Sequence, residues 1–303
     1  MKSSNQNKYS FIFNDKKKKQ IDDDGYCIFE PDKNLSRWLG VELNFLSDKI
    51  DSLLEEEGEF AGYDGREEFF KKGKKFEPIA NRLGNLPNKS KHFLSFCDYP
   101  PVIDCAKYII KDDICLSSSN FREPLKNGKQ QRLHIDWLPR FKESESFDCV
   151  IAMLYLDDSK LKNGALKIVP GTHKKLGYPD QYCNPFIDHS ESKSIVVKKG
   201  SIIVLNSNIW HRGGANLSGE RRRIINSIYR KRTLKQGLCQ KKYLSKTTIS
   251  NMSTEQQKLF KVLKEDNEQK EKIFGPGNDY RQWLEKNPKF NYSKSNDLTI
   301  KHY

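Results

Sequence analysis

A histidine followed two places later by a carboxylate occurs twice in this sequence, as His134/Asp136 in Leu133-His134-Ile135-Asp136-Trp137 and as His189/Glu191 in Asp188-His189-Ser190-Glu191. The two settings differ. His134 alternates with apolar residues, as a half-buried strand does, whereas His189 sits in a polar loop. On a strand, residues i and i+2 point to one face, so the His134 imidazole and the Asp136 carboxylate project together. A second histidine from a neighbouring strand would complete two nitrogens and one oxygen on one face of a metal ion. That leaves the opposite coordination positions open for reactants, an arrangement suited to redox-active Fe(II). Alone, a His-x-Asp pair is a common coincidence.

The stretch 200–223 adds to it. Gly200-Ser201-Ile202-Ile203-Val204-Leu205 reads as a buried strand, Trp210-His211-Arg212-Gly213-Gly214 delivers His211 into a Gly-rich turn, and Arg221-Arg222-Arg223 opens the next strand. A guanidinium keeps its charge and grips a carboxylate with a planar fork, so it suits the far end of a dicarboxylic acid. Alternation puts Arg222 on one face of that strand and Arg221 and Arg223 on the other, and only one face can look inwards.

The elements that must carry these residues are short. From Leu35 a helical pattern runs through Leu39, Leu43, Leu46, Ile50, Leu53 and Leu54, ended by Gly58 and Gly62. Pro100 and Pro101 open a second helix with Val102, Cys105, Ala106 and Ile109 on its apolar side. After residue 113 the period becomes that of strands: ICLSSS, RLHIDWL, CVIAMLYL, ALKIV, SIVV, SIIVL and RIINSIY, broken by Gly, Asn, Asp and Pro. CVIAMLYL is apolar on both faces and calls for cover on both sides. No long helical pattern separates these segments, which points to an antiparallel barrel or sandwich and away from a parallel α/β sheet. The layout is a solvated, flexible arm over 1–24, then one domain over 25–303. Its barrel core lies at about 113–232 and a helical extension at about 233–303, with helix-leaning sequence at 253–273.

The whole chain has 303 residues with 36% hydrophobic and 31% charged, and its 17 Phe, 13 Tyr and 4 Trp suffice for a real core. No apolar run approaches the ~20 residues of a membrane span, and MKSSNQNKYSFIFNDKKKKQ lacks the apolar stretch of a signal peptide. The net charge is +14, and residues 231–303 hold sixteen Lys and Arg against eight Asp and Glu. Many of those lysines alternate with acids and amides, as in KVLKEDNEQKEK, which reads as a solvated helix surface, so nucleic acid is not the expected partner. The seven cysteines, odd in number and without a Cys-x-x-Cys pair, read as reduced thiols of a cytoplasmic protein.

With these residues in view, the sequence resembles the phytanoyl-CoA dioxygenase family of Fe(II)- and 2-oxoglutarate-dependent oxygenases. The likeness is sharpest in NFREPLKNGKQQRLHIDWLP (120–139), NGALKIVPGTHK (163–174) and GSIIVLNSNIWHRGGANLSGERRR (200–223). It implies a fold that is mainly β with flanking helices, the double-stranded β-helix or jelly-roll, cupin-like barrel. It implies that His134, Asp136 and His211 bind Fe(II) and that Arg222, eleven residues after His211, holds the far carboxylate of 2-oxoglutarate. Asn216 and Ser218 match further family positions, and Ser218, Gln131 and Asn120 are candidate cosubstrate contacts, with Arg122 beside them. The implied activity is an O2-dependent oxidation of a small-molecule substrate that releases succinate and CO2. The presence of Asp136 points to hydroxylation or desaturation, since related halogenases lack this carboxylate.

Other residues have plainer readings. His173, in a Pro-Gly turn, reads as structural or exposed, and His189/Glu191 as a solvated pair; His92 and His302 have no supporting neighbours. Trp137 and Trp210 wall the pocket or pack in the core. Arg221 and Arg223 face solvent or pair with acids, and Asn163 and Gly164 make a turn. Lys126 and Lys129 would suit an anionic substrate at the entrance, which the 59–92 and 176–193 stretches would shape. A nucleic-acid demethylase would carry Arg-x-Asn-x-Thr-x-Arg from Arg222, and Ile224 and Ile228 break that pattern. A non-catalytic ligand-binding barrel has no need of all four site residues.

Overall fold

The computed structural model describes residues 12–58, 61, 80–266 and 286. Nine strands form two antiparallel sheets that face each other as a jelly roll. The larger sheet runs in the order β1 (Tyr26–Phe29), β7 (Ile202–Asn206), β4 (Cys149–Tyr155), β9 (Ile224–Lys231), β3 (Ile114–Pro124) and β2 (Ala80–Leu83). The smaller sheet is β6 (Lys193–Ile195), β5 (Leu166–Val169) and β8 (Trp210–Gly213). Among the described residues the sheets do not join into a closed barrel. Helices α1 (Asp15–Asp24), α2 (Lys33–Leu39), α3 (Leu43–Glu57), α4 (Lys91–Cys97) and α5 (Pro100–Ile110) precede the jelly roll in sequence, apart from β1 and β2, and α6 (Gln240–Tyr243), α7 (Lys246–Ser250) and α8 (Thr254–Phe260) follow it. No described helix is long and apolar enough to cross a membrane.

Alternation along the central strands splits the core in two. Val150, Ala152, Leu154, Ile202 and Val204 pack with the helices, whereas Ile151, Met153, Tyr155, Ile203 and Leu205 fill the space between the sheets. The double cover expected of CVIAMLYL is thus present. A bulge between Leu116 and Ser118 resets β3, so that Leu116 and Phe121 both face the helices and Asn120 and Arg122 face inwards.

Four elements depart from the sequence reading. RLHIDWL, expected as a strand, forms only an isolated antiparallel bridge between His134 and His211. The solvated arm of 1–24 contains α1 from Asp15 onwards. Asn14 caps its start, Gly25 (φ 84°) closes it, and Ile21 is buried beneath it. Lys18–Asp15 and Lys19–Asp23 pairs lie along it, so the charges that look like a solvated run are a capped helix face. The single helix expected from Leu35 is two, because Gly40 (φ 70°) ends α2. The 59–92 stretch, expected to shape the entrance, contains the edge strand β2; residues 59, 60 and 62–79 lie outside the described residues, as do 267–285 and 287–303 of the expected C-terminal helices. In the described part of that extension, α8 opens with a Ser253/Gln256 capping box and buries Phe260 completely.

His173 is buried at the root of α1. A Cβ at Gly25 would stand 2.5 Å from its Nδ1, so only glycine lets the chain pass. Burial, reinforced by Lys174, lowers the His173 imidazole from its ordinary value of 6.5 to about 4. The unfolded chain therefore takes up a proton between these values and the folded chain does not, so stability is lost as pH falls through that window. The expected loss at its foot is about 3 kcal/mol. His173→Leu should flatten the acid limb of a melting-temperature profile; an unchanged limb contradicts this assignment.

Candidate metal centre and cosubstrate pocket

His134 and His211 are joined through the backbone. Each donates its N–H to the other's carbonyl oxygen at 3.0 Å, and Asp136 N–H donates to Ser207 at 2.8 Å. The pairing brings the two imidazoles together, tilted by 49° with ring centroids 4.5 Å apart. His134 Nδ1 lies 2.8 Å from the Arg132 carbonyl oxygen and His211 Nδ1 lies 3.0 Å from that of Ile209. A carbonyl only accepts, so both Nδ1 atoms carry hydrogen and both Nε2 atoms face the centre. Asp136 Oδ2 is 3.0 Å from His211 Nε2, and Oδ1 is 3.5 Å from His134 Nε2. The three ligand atoms lie within 4.8 Å of one another.

Burial alone would raise the Asp136 carboxyl, but the His211 charge and hydrogen bonds from both imidazoles outweigh it and hold the group well below the carboxylate range. Burial likewise works to lower His211, and Asp136 outweighs it and raises it; burial and the His211 charge lower His134. The His211–Asp136 pair thus sets an ionised oxygen against an imidazole nitrogen at the place where a divalent cation would sit. An ionised oxygen and two imidazoles with fixed tautomers are a fitting donor set for Fe(II).

Arg222 fits the cosubstrate. It is 2% exposed on the inward face beside β9, and its Nε makes no hydrogen bond. Among the described residues no carboxylate pairs with it, although the buried, otherwise unpartnered Tyr155 hydroxyl and the Arg122 charge lie beside it. Its neighbours are the reverse. Arg221 binds Asp51 (2.7 Å) and Glu123 (2.6 Å), and Arg223 binds Asp157 (2.7 Å) and Asp51 (3.1 Å). A buried guanidinium without an acid costs several kcal/mol, a cost that a bound anion would offset. Alternation along the strand foretells this division.

Between Arg222 and the triad, the Gln131 Oε1 accepts the Gly213 N–H at 2.8 Å, and a Cβ at Gly213 would meet that oxygen at 2.8 Å. Gly213→Ala therefore pushes a methyl group into the pocket. We expect at least a roughly fivefold rise in KM for 2-oxoglutarate, measured as succinate release; an unchanged KM would place the pocket elsewhere. Asn120 lies on the same inward row, opposite Asn226 of β9, whose Oδ1 is buried without a partner. Asn226 and Tyr155 escaped the sequence reading; counting four residues on from Arg222 along the strand would have found Asn226.

Other expectations resolve differently. Ser218 stands in an exposed turn where its hydroxyl accepts the Glu220 N–H at 3.1 Å, and Asn216 ties that turn to Pro124 (3.1 Å). Both residues shape the loop before Arg222, and Ser218 stays outside the pocket because the turn consumes it. Lys126 packs beside Gly219 in this same loop, and Lys129 is exposed on the segment leading to Gln131. The His189 Nδ1 accepts the Glu191 N–H, and no metal group forms there among the described residues. His92 is held by the Leu39 carbonyl; His302 lies outside the described residues. Trp210 is buried beneath Tyr182, and Trp137 stacks on Arg230.

The class of protein that joins a jelly roll to a two-histidine, one-carboxylate centre and a buried anion seat is that of the Fe(II)- and 2-oxoglutarate-dependent oxygenases, which use a non-haem iron. The family described as phytanoyl-CoA dioxygenase (PhyH) matches residues 21–224, and the chain belongs to it. An uncharacterized protein of Mycobacterium bovis is 27% identical over 176 residues, covering 54% of this chain and 62% of the relative. A probable alpha-ketoglutarate-dependent hypophosphite dioxygenase of Stutzerimonas stutzeri is 25% identical over 41% of this chain and 48% of its own length. The chain thus spans less than two thirds of these curated relatives. Among solved structures, HygX of Streptomyces hygroscopicus with nickel and 2-oxoglutarate bound superposes with a TM-score of 0.57 at 13% identity, over 74% of this chain and 89% of HygX.

Proposed function

We propose that the protein is an Fe(II)- and 2-oxoglutarate-dependent dioxygenase that hydroxylates a small-molecule metabolite, with succinate and CO2 as coproducts. The observation that carries this reading is the buried Arg222, without an acid, on the inward face shared with the triad. His134, Asp136 and His211 would hold Fe(II), which supplies the O2 activation that couples decarboxylation of the cosubstrate to oxidation of a C–H bond. Arg222 binds the distal carboxylate of 2-oxoglutarate and so fixes its direction. Ile151, Met153, Ile203 and Ile228 line the space between the sheets with hydrocarbon and keep water from it.

Ile224 and Ile228 pack in that apolar layer, which supports a small-molecule substrate over nucleic acid. The relatives point the same way: one is named for hypophosphite, and HygX has been solved with hygromycin B bound. All seven cysteines are free and six are buried, which supports a reducing, cytoplasmic location. The test is a succinate-release screen with Fe(II), ascorbate, 2-oxoglutarate and a metabolite library in air. Release that stops with a chelator and returns with Fe(II) is the expected result. Iron bound by the triad without succinate from any compound would overturn the reading in favour of a binding protein.

A further inference from the structure

The inward face of β9 ends on a second arginine. Arg222, Ile224, Asn226, Ile228 and Arg230 alternate onto one side of the chain, and Arg230 lies about 26 Å from Arg222 along the strand. The metal ligands fall between them. Gly213, two residues past His211, meets Gln131 and Arg122 near the Arg222 end. At the other end, Arg230 pairs with Cys149, the Cys149 carbonyl accepts the Ser207 N–H, and the Ser207 carbonyl accepts the Asp136 N–H. Trp137, next to Asp136, carries the Arg230 guanidinium over its ring at 4.2 Å.

Arg230 differs from the arginines around it. Arg221, Arg223 and Arg232 each bind a carboxylate at 2.6–2.7 Å. No described carboxylate pairs with Arg230; its Nη1 donates to the Lys235 carbonyl at 2.8 Å, the guanidinium also reaches the buried Cys149 thiol, and its Nε is buried without a partner. The Trp137 face holds the guanidinium plane in place while leaving its charge unneutralised. A fixed fork with an unused N–H, on the far side of the metal ligands from the cosubstrate arginine, is built for a planar or tetrahedral oxyanion.

We propose that Arg230, stacked on Trp137, is the subsite for an anionic group of the primary substrate, a carboxylate or a phosphonate. This inference rests on the proposed dioxygenase function and names its substrate class. The inward face of this chain then carries two anion seats: Arg222 receives the cosubstrate, and Arg230 anchors the substrate so that a neutral C–H bond lies over the metal centre.

The test uses the anaerobic protein loaded with Fe(II) and saturating 2-oxoglutarate, so that Arg222 is already engaged. Hexanoate, hexylphosphonate and neutral hexanamide serve as probes, and binding is followed by ligand-observed NMR and Trp137 fluorescence. One or both anions should bind roughly tenfold or more tightly than the amide, and the stronger of the two identifies the oxyanion. Arg230→Gln should erase the preference and Arg230→Lys should keep part of it. Equal binding of all three probes by the wild type overturns the subsite, as does an Arg230→Gln variant that retains the preference. Succinate release by the wild type, measured separately in air, reports on the dioxygenase reading itself. Its absence sinks that reading, whereas its presence with no anion preference sinks only the subsite.

Discussion

Asp136→Ala is expected to lower succinate release at least ~100-fold, with iron occupancy falling alongside it. Asp136 is the sole anion of the triad. Without it, two neutral imidazoles face a divalent cation, and neither can offset its charge. The backbone pairing that brings the histidines together does not use the carboxylate, so the fold should survive, as far-UV circular dichroism would verify. A second readout is independent of turnover. Asp136 is what raises His211 against the opposing effect of burial, so in the metal-free variant the His211 ring should titrate at lower pH, visible by NMR. Full activity or an unmoved His211 titration would show that the ligand assignment is wrong.

Arg222→Met should have two effects of opposite sign. The variant loses the anion seat, and KM for 2-oxoglutarate rises on the order of 100-fold or more. Without cosubstrate, however, the variant should be more stable than the wild type by about 1–4 kcal/mol, because a buried, acid-free guanidinium gives way to a side chain of similar reach that has no charge to desolvate. Saturating 2-oxoglutarate stabilises the wild type by about 2.7 kcal/mol at one hundred times Kd and leaves the variant unchanged. In thermal melts, cosubstrate should therefore narrow the variant's lead by about 2.7 kcal/mol, and reverse it where that lead is smaller. A variant less stable than the wild type in both conditions would mean that Arg222 is a structural residue.

What the sequence disclosed follows from range. His134 and Asp136 share a face by local alternation, and the same rule sorts Arg222 from Arg221 and Arg223, so three of the four central residues are legible without knowledge of tertiary contacts. That His211 would meet them depends on a pairing across seventy-odd residues, and only the likeness to a known family supplied it. Charge-rich α1 went unread because its caps, Asn14 and Gly25, are single residues beside a run of lysines. Spacing cannot reveal that the Ser218 hydroxyl already accepts a backbone N–H within a turn. The phase of β3 depends on a bulge that leaves no mark in the pattern of apolar residues, and the Trp137–Arg230 contact joins an irregular segment to β9 across ninety-odd residues.

Asp51 of α3 reaches both neighbours of Arg222, clamping Arg221 and Arg223 at once. The Arg222 end of the inward face is thereby bolted to a helix, while its Arg230 end meets Trp137, which leads into irregular chain. Change accumulating there can alter which molecule is admitted without loosening the grip on the oxidant's partner. The architecture separates an inherited engine from an exchangeable nozzle, and directed evolution of new selectivity should begin at the nozzle.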